Sequence, residues 1–369
     1  MGERVLLKGN DAIGEAAIRA GCTCYFGYPI TPQNELTAYM AKHMIEKGRT
    51  FIQAESEVAA INMVYGSSSA GARSMTSSSS PGISLKQEGI SYMVGAQLPA
   101  VIVNIVRGGP GLGNIAPSQA DYFQACKGGG HGDYRMVTYG PATVQEAADL
   151  TMKSFDVADR YRNPVMVLGD AILGQMMEPL TFKEFEVNPP PKPWAVGGPR
   201  NGRAPNLINS LSLEDGVVED WNWMFKAKFE EMKKNELMVE CLNTKDADLI
   251  MVAYGTTSRI CKAVMTRARE QGLKVGLIRP ITVWPFPYQV LADAAKKTKE
   301  FLVVEMSLGQ MIEDVKLSVL DNAAIHFHGR PGGGIPTEKD IMELITHVLV
   351  EKRKGHVTTR GSAVDWKIS

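Results

Sequence analysis

The sequence predicts an α/β protein, with a doubly wound, mostly parallel sheet first and a second, smaller α/β domain after it. Three observations predict this. Strand-like and helix-like segments alternate through residues 1–185. Two runs, Pro99 to Val106 and Pro164 to Leu168, are apolar almost without a break, as strands covered on both faces are. The alternation lapses over residues 186–245 and resumes from Ala247.

In order, Val5-Leu6-Leu7 reads as a strand, Ala12 to Ala20 as a helix stopped by Gly21, and Cys24-Tyr25-Phe26 as the next strand. Leu36, Met40 and Met44 give Asn34 to Lys47 a helical spacing. Glu57 to Ala70 is a helix of small residues and Ser74-Met75-Thr76 a strand. Thr143-Val-Gln-Glu146 is a capping box that opens a helix to about Tyr161. The prolines from Pro189 to Pro205 cannot propagate helix or central strand, so 186–245 reads as a connector. It carries a charged helical segment from Trp221 to Lys234, and it either reaches a partner or is a surface excursion. In 246–352 the strands are Leu249–Ala253, Val275–Ile278, Phe301–Glu305 and Ala323–His328. The helices between and after them are Arg259–Arg269, Pro285–Ala295, Ile312–Val319 and Glu338–Lys352. Residues 353–369 are a polar tail.

Composition narrows the function. The 369 residues, 44% apolar and 22% charged, suffice for about two domains of ~150 residues with ample core. Lys plus Arg and Asp plus Glu are both 40, so no basic excess points to nucleic acid and no polybasic run to a membrane surface. The longest apolar stretch, near Leu98 to Val106, is far short of a ~20-residue span, and Met1-Gly2-Glu3-Arg4 enters a strand pattern without a leader. A cytoplasmic protein is expected. Five cysteines without a Cys-x-x-Cys pair supply neither a zinc site nor a cluster and read as free thiols in a reducing compartment. No metal site is expected. Nineteen methionines fit core filling and an anaerobic setting.

Two stretches carry the chemistry. Gly27-Tyr28-Pro29-Ile30-Thr31-Pro32 is a strand end turning into a helix, with one hydroxyl at Thr31. Glu55-Ser56-Glu57-Val58-Ala59-Ala60 sets the Glu57 carboxylate at the head of a small apolar run, where poor solvation raises a carboxyl pKa and favours holding a proton against a ligand nitrogen. Arg107 ends the buried strand, so it either grips a substrate carboxylate beyond the sheet edge or forms a surface ion pair. Thr76 to Gly82, with four consecutive serines, is a polar loop that binds ligand oxygens or merely turns. His131, among glycines, relays protons or is structural. Gly109-Pro110-Gly111-Leu112-Gly113 and Gly128 to Asp133 lack the dinucleotide spacing, and no P-loop occurs.

Together these strings resemble the alpha subunit of the 2-oxoacid:ferredoxin oxidoreductases across nearly the whole chain. The most specific is Tyr28-Pro29-Ile30-Thr31-Pro32, joined by Val304 to Met311 and Gly329 to Gly334. Glu55 to Gly66, Ser77 to Gly82 and Arg107 to Gly113 resemble the branched-chain, 2-oxoisovalerate (3-methyl-2-oxobutanoate) type. The resemblance implies a pyrimidine-type thiamine-diphosphate-binding domain at 1–185 and a transketolase C-terminal-like domain at 246–352. It implies thiamine-dependent oxidative decarboxylation of a branched-chain 2-oxoacid to an acyl-CoA, with electrons passed to ferredoxin. Same chemistry on 2-oxoglutarate is the alternative, and a non-catalytic scaffold subunit is the alternative of another class.

By the same resemblance Thr31 and Arg107 bind the substrate. Glu57 is catalytic and hydrogen-bonds the aminopyrimidine ring, and Tyr28, Pro29, Ile30, Ser79 and Ser80 line the cofactor's pyrimidine side. The diphosphate half requires Gly-Asp-Gly with a downstream Asn, whereas this chain reads Gly169-Asp170-Ala171. The implied partners are therefore a beta subunit holding the diphosphate, Mg2+ and a [4Fe-4S] cluster, a gamma subunit, a ferredoxin-like delta subunit and external ferredoxin. Coenzyme A is the implied co-substrate.

Overall fold

The structure, a computed structural model, describes residues 4–197 and 204–351. The expected polar tail, the end of the last helix at Lys352, Met1 to Glu3 and part of the connector lie outside the described residues.

The chain runs β1 (Arg4–Lys8), α1 (Gly9–Arg19), β2 (Cys24–Gly27), α2 (Asn34–Glu46), β3 (Thr50–Gln53), α3 (Glu57–Ser69), β4 (Ser74–Ser78), α4 (Ser80–Gly95) and β5 (Ala100–Val106). Then come β6 (Val137–Tyr139), α5 (Val144–Tyr161), β7 (Pro164–Asp170), α6 (Ala171–Gln175), β8 (Met177–Thr181) and α7 (Val217–Glu236). The second half adds β9 (Val239–Leu242), β10 (Leu249–Val252), α8 (Gly255–Glu270), β11 (Val275–Pro280), β12 (Thr282–Trp284), α9 (Tyr288–Ala295), β13 (Glu300–Glu305), α10 (Met311–Val319), β14 (Ala324–Gly329) and α11 (Glu338–Thr346).

The first sheet has seven strands in the order β12-β6-β7-β5-β4-β2-β3, parallel except for β12. β5 and β7, the two near-continuous apolar runs, lie side by side at its centre with every residue buried. The second sheet, β14-β13-β10-β11-β9, is parallel except for β9. β1 does not join the main sheet. It pairs antiparallel with β8 as a separate ribbon.

Four details depart from the sequence reading. The stretch after Thr76 is not one polar loop: β4 continues through Ser78, and α4 starts at Ser80 with Pro81 in its first turn, where a missing N–H costs nothing. α4 itself, with the short strands β3 and β6, goes unread. β9, inside the segment read as a connector, pairs with β11 and opens the second sheet. β12, from the second half of the chain, pairs with β6 and closes an edge of the first sheet.

The capping box forms in altered shape. Thr143 Oγ1 accepts the Glu146 amide at 3.1 Å, but Glu146 Oε2 reaches back to the Ala142 amide at 2.9 Å. The same carboxylate also meets the Arg279 guanidinium, which bonds Glu240 on β9 as well. Buried Gln119 ties the halves further: its side chain donates to the Tyr254 carbonyl at 2.9 Å and accepts from Thr257 Oγ1 and the Met306 amide. One apolar core is continuous from Ile102 and Leu168 of the first sheet to Ile250, Val252 and Phe301 of the second.

Arg279 is buried between two carboxylates. Arg279→Met should therefore lower the unfolding free energy by about 2–3 kcal/mol, because charged hydrogen bonds are lost and two like charges remain. Urea denaturation of the full chain measures it.

Candidate active site

Parallel strands all end at one edge, and loops beyond that edge bind ligands in open α/β sheets. β2, β4 and β5 deliver the Tyr28–Pro32 turn, the start of α4 and Arg107 to that edge, while the turn after β3 leads into Glu57.

Glu57 opens α3. Ser56 caps the helix, its hydroxyl accepting the Ala59 amide at 3.2 Å, and Glu57 itself is 6% exposed. Its carboxylate lies against Gly82 in the first turn of α4. A Cβ on residue 82 would come 2.1 Å from Ser78 Oγ and 2.6 Å from Glu57 Oε1, so only glycine fits. Ser78 and Ser79 are buried, and their hydroxyls find no partner among the described residues. One turn along α4, Lys86 is fully enclosed and donates to Thr76 Oγ1 at 2.9 Å. Burial pulls its ammonium down to about 7, and the Glu57 charge pulls back upward.

Arg107 forms no ion pair among the described residues. Its Nη1 donates to the Thr31 carbonyl and its Nη2 to the Leu112 carbonyl, each at 3.0 Å, while Nε is buried without a partner. A positive charge thus stands at the edge facing only carbonyl dipoles. The Arg107 amide bonds Ser80 Oγ at 3.1 Å, and the Ser80 amide bonds Asn104 Oδ1 at 3.1 Å. Asn104 also donates to Asp121 at 2.8 Å, and burial raises the Asp121 pKa.

The Tyr28–Pro32 turn is braced from beneath. Gln33 donates to the Tyr28 carbonyl and accepts from Ser77 Oγ at 2.6 Å, and Ser77 also meets the Tyr25 hydroxyl. Thr31 Oγ1 accepts from Asn34 at 3.0 Å. Tyr28 and Pro29 are exposed, whereas Ile30 and Thr31 are half-buried.

The fold therefore brings Thr31, Glu57, Ser79, Ser80 and Arg107 to one edge, with Tyr28, Pro29 and Ile30 on its rim. His131 is elsewhere. It faces Ser91 and Tyr92 near the far end of α4, about 17 Å along that helix from Ser80, beside an open cleft of about 460 Å³. Asp170 is occupied as well: it caps α6 through the Ile172 and Leu173 amides and accepts from Thr256, and burial raises its pKa. The Arg107–Gly113 loop folds on itself, the Asn114 amide meeting the Gly108 carbonyl at 2.9 Å. At Gly113 (φ 58°) a Cβ would fall 1.7 Å from that carbonyl oxygen. Asn114 then bonds the Gly332 carbonyl of the second glycine loop.

The sequence reading missed Gln33, Lys86 and Asn104 and took Gly82 only as the end of a polar loop. The signal for two of them was available: once α4 is recognised, Gly82 and Lys86 fall four apart on one helix face.

Residues 15–228 match the family described as pyruvate flavodoxin/ferredoxin oxidoreductase, thiamine diphosphate-binding, and residues 247–341 match pyruvate:ferredoxin oxidoreductase core domain II. This chain belongs to the 2-oxoacid:ferredoxin oxidoreductase family. It is 48% identical to the ketoisovalerate oxidoreductase subunit VorB of Methanothermobacter marburgensis, over 94% of this chain and 98% of that one. It is 34% identical to the 2-oxoglutarate synthase subunit KorA of Methanothermobacter thermautotrophicus, over 94% and 99% respectively. The 2-oxoglutarate:ferredoxin oxidoreductase from Magnetococcus marinus, solved with 2-oxoglutarate, coenzyme A and succinyl-CoA bound, superposes with a TM-score of 0.83 at 25% identity; the match covers 94% of this chain and 65% of that one. Among the described residues of this family member, no helix is long and apolar enough to cross a membrane.

Two stability outcomes follow from this geometry. Gly82→Ala should cost about 1–3 kcal/mol by overpacking, whereas Gly66→Ala, in open space on α3, should gain about 0.5–1 kcal/mol; chemical denaturation of both reads the contrast. Lys86 loses its proton near pH 7 when folded but keeps it to its ordinary value of 10.5 when unfolded. The unfolded chain binds the extra proton between those values, so this lysine's contribution to stability rises with pH there. The gain in melting temperature from Lys86→Met should accordingly be largest at and below pH 7 and fade towards pH 10, as thermal melts across that range would record.

Proposed function

We propose that this subunit supplies the pyrimidine side of a thiamine diphosphate site and binds the 2-oxoacid there. The observation that carries the reading is the pairing, on one sheet edge, of the enclosed Glu57 carboxyl with an Arg107 guanidinium that no side-chain carboxylate among the described residues neutralises. The residues fit the cofactor: Gly82 leaves a cradle that any Cβ would fill, and Ser78 and Ser79 keep unpartnered hydroxyls beside it.

Residues 1–185 would form the pyrimidine-binding domain. Glu57 would hold a proton at its carboxyl and donate it to a ring nitrogen, with Tyr28, Pro29, Ile30, Ser79 and Ser80 lining the ring's surroundings. Thr31 and Arg107 would orient the substrate's carboxylate and carbonyl, Arg107 through charge-assisted hydrogen bonds. When bound, the cofactor stabilises the charge left on the carbonyl carbon as carbon dioxide departs.

The remaining machinery lies in partners. Asp170 is committed to capping α6, which supports a separate beta subunit for the diphosphate, Mg2+ and a [4Fe-4S] cluster. Leu112, Ile115 and Leu308 stand exposed on the loops bordering the site and offer an apolar surface for such a subunit to cover. Gamma and ferredoxin-like delta subunits, external ferredoxin, coenzyme A as acyl acceptor and a cytoplasmic setting complete the reading.

The proposed substrate is a branched-chain 2-oxoacid such as 2-oxoisovalerate, supported by the VorB relative and by the apolar Leu112 beside Arg107. The KorA relative favours 2-oxoglutarate as the second reading. In the purified complex, kcat/KM should be higher for 2-oxoisovalerate, though an apolar pocket separates neighbouring aliphatic acids by only ~1–3 kcal/mol. A kcat/KM for 2-oxoglutarate equal or greater would reverse the assignment. Glu57→Gln should lower turnover by roughly 10²–10⁴-fold while the complex still assembles. Unchanged turnover would mark the chain as a scaffold.

A further inference from the structure

We propose that Asp121 is a positioning residue for the 2-oxoacid, through which the second half of the chain sets the place of Arg107. The proposal rests on the substrate role for Arg107 given above. Its starting point is a polar intrusion. Asn104 is the single polar residue of β5, fully buried, in the strand that ends just before Arg107. A buried amide costs free energy unless it is hydrogen-bonded, so its partners decide its role.

Asn104 Oδ1 accepts the Ser80 amide at 3.1 Å, and Asn104 Nδ2 donates to Asp121 Oδ2 at 2.8 Å. A carboxylate only accepts. Asp121 therefore fixes which way the Asn104 amide points, with its NH2 to Asp121 and its carbonyl to Ser80. Turned over, the amide would set an N–H against the Ser80 N–H. Ser80 Oγ in turn accepts the Arg107 amide at 3.1 Å, so the relay ends on the backbone from which the guanidinium extends.

The other end of the relay is held by the second half of the chain. Within residues 118–123, Ser118 Oγ donates to the Met306 carbonyl at 3.3 Å, and the Gln119 amide donates to the same carbonyl at 2.9 Å. Gln310 Nε2 donates to the Ala120 carbonyl at 2.6 Å, and its Oε1 accepts the Phe123 amide at 2.8 Å. The Tyr122 hydroxyl donates to Asp314 of α10 at 2.6 Å. These partners lie on α10 or in the turn before it. Ser118, Gln119 and Tyr122 are thus tied to the second sheet's side, and Asp121 between them turns to β5. A shift of the turn before α10 reaches Arg107 through Gln310, Asp121, Asn104 and Ser80.

The relay acts on binding rather than on the chemical step. A guanidinium holds the carboxylate in substrate and transition state alike, so its misplacement raises KM and spares kcat.

Two measurements on the assembled complex test the proposal: hydrogen exchange at the Ser80 amide, read by mass spectrometry, and kinetics with 2-oxoisovalerate. Asp121→Ala should speed that exchange about tenfold or more and raise KM roughly tenfold, with kcat within about threefold of wild type. Asp121→Asn keeps an acceptor for Asn104 and should restore both readings to near wild type. Gln310→Ala should move both in the same direction as Asp121→Ala, and it carries the test if Asp121→Ala does not assemble. In an Arg107→Ala background Asp121→Ala should raise KM no further, because the group it positions is gone. Unchanged Ser80 exchange in Asp121→Ala overturns the proposal, as does an Asp121→Asn complex as impaired as Asp121→Ala. A Gln310→Ala complex with wild-type exchange and KM overturns it too, as does a KM effect of Asp121→Ala that multiplies with that of Arg107→Ala. Faster Ser80 exchange in Asp121→Ala with KM unmoved in Arg107→Ala overturns the substrate role of Arg107 and leaves the relay standing. Unchanged exchange with KM raised in Arg107→Ala overturns the relay alone.

Discussion

The close approach of α3 and α4 is the constraint on which the site depends. Their first turns meet where residue 82 has no side chain, and the space a Cβ would take is shared by Ser78 Oγ and Glu57 Oε1. That contact fixes how far Glu57 stands above β4, how deeply Lys86 is enclosed one turn further on, and which serine hydroxyls remain unpartnered. Arg107 enters the same arrangement through Ser80, whose amide and hydroxyl bind Asn104 and the Arg107 amide. Carboxyl, lysine and guanidinium are therefore positioned by backbone and helix packing more than by contacts with one another.

A second layer of constraint holds the two halves of the chain in register. Gln119 reads out the Tyr254 and Met306 backbone, Asp170 receives Thr256, and Arg279 joins Glu146 to Glu240. The loop that begins at Arg107 is anchored at Gly332. Asn114, whose amide bonds the Gly108 carbonyl next to Arg107, is thus tied to the loop after β14, which links the end of the second sheet to the shape of the site.

Much of this was legible in the residues. β5 and β7 were readable because strands covered on both faces need nearly continuous apolar residues, and α2 because Leu36, Met40 and Met44 repeat at helical spacing. The placing of Thr31 and Arg107 at strand ends and of Glu57 at a helix start was readable because such ends are marked by proline, glycine and capping serine. α4 was not, since its sequence is rich in serine and glycine and its burial comes from packing on α3 and β4, a tertiary fact. Short β3 and β6 carry too few residues for a period to register. Partners distant in sequence were hidden for the same reason: nothing near Arg279 announces Glu146, and nothing near Asp170 announces Thr256. His131 was open to a proton-relay or a structural role in isolation and lies by the other end of a helix that had gone unread.

The crossing of β12 into the first sheet makes the domain boundary a poor place to divide the molecule. A fragment ending before Thr282 would leave β6 as a naked edge, three residues of unsatisfied backbone able to recruit strands from other copies. The complementary fragment would carry an orphan strand with nothing to pair against. Separately made halves should consequently clump or misassemble, and gene fusions or splits in such a protein are better tolerated outside the span from β6 to β12 than within it.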